Sequence, residues 1–108
     1  IIGEVKGRDC ILIDDIVDSA GTLCNASVAL TNAGAKSVSA YVTHGVLSGD
    51  AVARATASPM SRLVVTDSIQ ATDAVNQSDT VQQLSIAPLM AEAIRRIEDD
   101  SSISNLFD

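Results

Sequence analysis

Tryptophan is absent, and Tyr41 and Phe107 are the only aromatic residues. A base-stacking platform for single-stranded nucleic acid needs more rings than that. Basic residues are scarce too: seven Lys and Arg face fourteen Asp and Glu, a formal charge of −7. That balance excludes a broad cationic footprint for nucleic acid or anionic lipid. Cysteine occurs only at Cys10 and Cys24, too rarely for a disulfide framework and without zinc-type spacing. Both read as small apolar residues of a protein in the reducing cytoplasm. No apolar run approaches the roughly 18 residues of a membrane span, and no charged segment leads into an apolar stretch as in a secretory signal.

The 108 residues are 46% apolar, an ordinary globular value that fits one modest domain. Along the chain, apolar runs alternate with helical patterns. Cys10–Ile13 is a continuous apolar run that ends in Asp14-Asp15, as a buried parallel strand would. Gly21–Ala33 follows with Leu23, Ala26, Leu30 and Ala33 on one helical stripe and Gly34 as the stop. Ser37–Thr43, Arg62–Thr66 and Val81–Ile86 read as further strands. A short alanine-rich helix is expected near 49–57. Another begins at Pro88, with Leu89, Met90, Ala93, Ile94 and Ile97 as a buried stripe. Asp67–Thr80 is polar and long enough to suggest function or mobility. The reading is an α/β fold, a parallel β-sheet flanked by helices, spanning residues 1–98, with 99–108 as a tail. In such sheets ligands bind beyond the carboxyl ends of the strands, which singles out 14–22, 44–49 and 67–70.

The first of these segments carries the chemistry. A strand delivers Asp14 and Asp15; Asp18, Ser19, Ala20, Gly21 and Thr22 then lead into a helix. A helix N-terminus offers backbone N–H groups and a favourable dipole to phosphate. Ser19, Ala20 and Gly21 are small enough to leave the loop open, and the hydroxyls of Ser19 and Thr22 are additional donors. Carboxylates repel phosphate but accept from sugar hydroxyls and hold Mg²⁺. The strip therefore describes a sugar-phosphate site. The plainer alternative is an ordinary N-cap by Asp18 or Ser19 beside two solvated aspartates. No Walker lysine is present. The lone His44 reads as structural or solvent-facing. Asp67–Gln70 either helps line the site or makes a plain turn. Arg95 and Arg96 with Glu92, Glu98 and Asp99 read as a solvated helix face.

The strand, acidic pair and Asp-Ser-Ala-Gly-Thr loop resemble the phosphoribosyl-binding motif of the type I phosphoribosyltransferases. With Val5–Cys10, Gly34-Ala35-Lys36, Thr43-His44-Gly45, Ser48-Gly49, Glu92–Ile97 and the tail 101–107, the chain resembles the ribose-phosphate pyrophosphokinases, and its C-terminal portion in particular. The resemblance implies a partial type I phosphoribosyltransferase-like fold. It implies a parent enzyme that moves the diphosphate of ATP to ribose 5-phosphate with Mg²⁺, here holding the ribose 5-phosphate half. Asp14 and Asp15 would meet the ribose hydroxyls or, indirectly, Mg²⁺. Residues 18–22 would bind the 5-phosphate. Ser102 and Ser104 would serve a regulatory phosphate site, and the protein would form homo-oligomers. The catalytic Lys/Arg loop and ATP contacts would lie upstream of Ile1, so that the 108 residues alone are inactive. Ser19 replaces the commoner Thr, and Ala20 a frequent Gly; Ala20 is tolerated unless the position needs positive φ. A salvage phosphoribosyltransferase and a non-catalytic phosphoribosyl-binding or regulatory subunit are the alternative readings.

Overall fold

Every strand in the computed structural model, which describes residues 3–99 and 106, is followed by a helix. Strands β1 (Asp9–Val17), β2 (Ser37–Gly45), β3 (Arg62–Thr66) and β4 (Val81–Leu84) alternate with helices α1 (Gly21–Asn32), α2 (Ala51–Ala57), α3 (Asp73–Asn76) and α4 (Ala87–Glu98). The strands pair in parallel and in sequence order, β1-β2-β3-β4. Three right-handed crossovers running in one direction place their helices on one face of the sheet. The burial pattern agrees. Val38, Ala40 and Val42 of β2, Leu63 and Val65 of β3, and Val81 of β4 are buried. They pack with Leu23 of α1, Ala51 and Ala55 of α2, and Val75 of α3. The two alanines let α2 approach the sheet closely.

The other face is left uncovered among the described residues. Ile13, Tyr41, Val64 and Gln82 stand in register across the four strands. Ile11 is 61% exposed, Ile13 82% and Leu84 61%. The apolar run of β1 therefore does not signify burial on both faces, contrary to the expectation from sequence. Its even-numbered residues Cys10 and Leu12 are half-buried beneath the helices, and its isoleucines face outward. The molecule is only 18 Å thick, as one sheet and one helical layer require.

Several boundaries shift. β1 continues through Asp14-Asp15 to Val17, because Ile16 and Val17 still pair with His44 and Gly45 of β2. The stop after α1 is as expected: Gly34 takes φ +96°, and its N–H bonds Thr31 O at 3.0 Å. The polar stretch 67–80 contains α3, whose first turn is capped by Thr72. β4 ends at Leu84, two residues early. The stripe of α4 is not buried. Leu89, Met90, Ile94 and Ile97 are all exposed, and nothing among the described residues covers them. Periodicity shows that a face seeks burial, not that a partner is at hand. Cys10 and Cys24 are free thiols, half-buried rather than buried. Beyond α4, Ser102, Ser104 and Phe107 lie outside the described residues.

Candidate functional site

The carboxyl end of β1 carries Asp14 and Asp15 past the helical layer and then turns sharply into α1. Asp14 and every residue from Ile16 to Leu23 line a concavity of about 410 Å³. Asp14, Asp18, Ser19, Ala20, Gly21 and Thr22 are thus brought together. Asp15 is not in that lining; its N–H donates to Asp14 Oδ1 at 2.8 Å.

The start of α1 has no side-chain cap. Ala20 is the cap residue and has nothing to offer but backbone. Its carbonyl accepts the first bond of the helix, from Cys24 N–H at 3.0 Å. The amides of the first turn, Gly21 to Leu23, precede that bond and have no acceptor within the helix. No acidic side chain sits in the first turn to offset the positive end of the dipole. The plainer alternative of capping by Asp18 or Ser19 is therefore not realised. Asp18 is engaged elsewhere: its carboxylate accepts from the Ser48 hydroxyl.

Ala20 adopts φ +69°, ψ +5°. This is the left-handed region, which costs a non-glycine residue about 1–2 kcal/mol. The sharp turn thus does need the conformation under which alanine was expected to be unfavourable. Surrounding bonds compensate. Val46 and Leu47 N–H both reach Val17 O, at 2.9 and 3.2 Å. Ser48 N–H donates to Asp18 O at 3.0 Å, and Arg54 Nη1 donates to Ser19 O at 2.9 Å. Segment 44–49, one of the three strand ends where the sequence places ligand binding, thus braces the loop of the first. Arg54, 35 residues from Ser19 along the chain, gave no local signal at all.

The other candidates have partners within the chain. His44 Nδ1 lies 2.8 Å from Ser68 Oγ, whose hydroxyl is 3.3 Å from Thr43 O. With the hydroxyl donating to that carbonyl, the ring donates to Ser68. Asp67 accepts from Ile86 N–H at 2.9 Å, tying the end of β3 to the start of α4. That bond, with the Ser85 hydroxyl, holds the Asp67 carboxyl below its usual range. Neither residue lines the concavity beside α1. Arg95 and Arg96 pair with Glu92, and Arg95 also with Asp99, along the exposed side of α4.

Among the described residues, no three His, Cys, Asp or Glu are placed to hold a metal ion. Asp14 and Asp15 could orient the water shell of a Mg²⁺ held by substrate oxygens; they do not form a cage. No described helix is long and apolar enough to cross a membrane. The two lysines, Lys6 and Lys36, precede β1 and β2 and so lie at the opposite end of the strands from this loop.

Residues 1–108 match the family profile of the phosphoribosyl synthetase-associated domain. Over the whole chain it is 65% identical to a ribose-phosphate pyrophosphokinase of Granulibacter bethesdensis and 58% identical to one of Brucella melitensis biotype 1. In both cases it covers 35% of the relative's length. The crystal structure of phosphoribosylpyrophosphate synthetase from Mycobacterium smegmatis superposes with a TM-score of 0.86 at 38% identity. That match covers 93% of this chain and 33% of the other. The chain thus spans about a third of the length of the relatives it matches. A parallel sheet leading into a helix with an uncapped start, together with a profile match along its full length, makes this chain a member of the phosphoribosyl synthetase-associated domain family.

Proposed function

We propose that the complete protein is a ribose-phosphate diphosphokinase and that this chain supplies its ribose 5-phosphate site. The observation that carries the reading is the start of α1: open amides, no side-chain cap and no first-turn carboxylate, beside a carboxylate-bearing strand end. The names of the relatives supply the reaction class. In the proposed reaction the anomeric oxygen of ribose 5-phosphate attacks the β-phosphorus of ATP. The bond from that phosphorus to the α,β-bridging oxygen breaks, and AMP leaves.

The residues here divide the sugar between them. Amides of residues 20–22 and the hydroxyls of Ser19 and Thr22 bind the 5-phosphate. Asp14 accepts from ribose hydroxyls; Asp15, outside the lining, would with Asp14 help hold Mg²⁺. Mg²⁺, when bound, neutralises charge on the moving diphosphate. Cations directed at that diphosphate are not supplied by Lys6 or Lys36 at the far end of the sheet, so the reading places them in the rest of the protein. Cytoplasmic location and homo-oligomeric state belong to the same proposal. They are checked by fractionation and light scattering of the complete protein.

Calorimetric titration of the complete protein with ribose 5-phosphate, with and without Mg²⁺, tests the site. Asp18→Ala, which releases the loop from Ser48, and Thr22→Ala, which removes a donor, are each expected to weaken binding by roughly tenfold, the scale of one hydrogen bond involving a charged group. A well-folded complete protein that gives no binding heat overturns the assignment.

A further inference from the structure

We propose that Arg54 is a positioning residue for the phosphate loop, turning the Ala20 N–H toward the anion by holding the Ser19 carbonyl from behind. The proposal rests on the phosphate reading of that loop and adds a residue to it. Arg54 sits in α2 and donates from Nη1 to Ser19 O at 2.9 Å. It lines a groove between α1 and α2 with Cys24, Asn25 and Pro59, which meets the concavity at Gly21. It does not line the concavity over residues 18–22. The guanidinium therefore meets the loop from α2, outside the lining of that concavity.

A trans peptide plane points its C=O and N–H in opposite directions. Fixing the Ser19 carbonyl toward Arg54 thus aims the N–H of Ala20 away from Arg54, and Ala20 itself lines the concavity. The same bond opposes a flip of the Ser19–Ala20 peptide. A flip is otherwise easy to envisage, because Ala20 already sits at φ +69°. With the plane reversed, a carbonyl oxygen would face the phosphate in place of a donor. A solvated arginine at a helix end has no reason to single out this carbonyl. Other charges near the loop do not take its place: Asp18 is engaged by Ser48, and neither lysine is close.

The test uses the complete protein and three arginine variants, with calorimetric Kd for ribose 5-phosphate and steady-state KM for ATP as the paired readouts. R54M is expected to raise the ribose 5-phosphate Kd about tenfold, the worth of one charge-assisted bond, with KM for ATP unchanged. R54K, which keeps a charged donor, is expected to recover most of the loss. R54Q, a neutral donor, is expected to fall between the two and serves in place of R54M should that variant melt early. A wild-type Kd in R54M overturns the proposal. So does a parallel rise of ribose 5-phosphate Kd and ATP KM, the mark of general loosening. If wild-type protein itself shows no ribose 5-phosphate binding, the phosphate reading fails first and Arg54's role falls with it.

Discussion

Ala20 shows how much one backbone angle decides. It is buried at 4% exposure, sits at φ +69° and begins a helix without a capping side chain. Glycine would remove the strain but surrender a packed methyl group and add chain entropy to the unfolded state. These contributions are each about 1 kcal/mol and opposed in sign. Ala20→Gly is therefore expected to leave the thermal midpoint nearly unchanged. Ala20→Val forces a β-branched residue into the same region, and is expected to lose about 2–3 kcal/mol, visible as a lower midpoint in thermal or urea unfolding. Comparable stability of Ala20→Val and wild type would show that the turn can relax out of the left-handed region. At this scale the sequence was informative about which residue types gather. Asp14, Asp18 and the small residues after it were legible because they are contiguous. Arg54 was not, nor was the bond from Ser48 to Asp18, because a bond across 30 or 35 residues leaves no trace in local pattern.

Among the elements, strands and helices were legible wherever composition and periodicity coincide, as in β2, β3 and α1. The end of β1 was not, because Asp14-Asp15 reads as a boundary while pairing with β2 carries the strand on to Val17. Its neighbour Gly45 makes that continuation possible. A Cβ at Gly45 would lie 2.9 Å from three carbons of the buried Val65 side chain. Gly45→Ala is thus expected to cost about 1–3 kcal/mol by overpacking, read as a lower urea midpoint at unchanged m-value. In α4, Arg95 and Arg96 hold the Glu92 carboxyl down at about 2, against a reference of 4.5. A depressed folded-state pKa gives stability that is fully present above pH 4.5 and is lost as pH falls through about 2. Helicity followed by circular dichroism should drop over that interval, and Glu92→Gln should flatten the Glu92-dependent part of the drop. Asp67 contributes in the same direction at the start of α4, since its carboxyl is also lowered.

For the whole molecule, the consequence of four strands in order is one covered face and one open one. Ile11, Ile13, Tyr41 and Leu84 form an apolar surface on the open side, and α4 adds Leu89, Met90, Ile94 and Ile97 with no described neighbour to bury them. Side chains of this size gain about 1.5–3 kcal/mol each when fully buried, so the isolated chain has a strong incentive to find cover. β1 is also a sheet edge, pairing only with β2. Formal charge of −7 opposes association at low ionic strength, and that repulsion weakens as salt is added. The isolated 108 residues are accordingly expected to self-associate, the more so at higher salt, when followed by light scattering. Ile13→Lys, placed at the most exposed of these positions, adds a charge to the middle of the open face without touching the core beneath the helices. It should reduce the associated mass while leaving the circular dichroism spectrum unchanged. A monodisperse monomer at all salt concentrations would mean that α4 folds back over the sheet, and Ile13→Lys would then destabilise the monomer instead of freeing it.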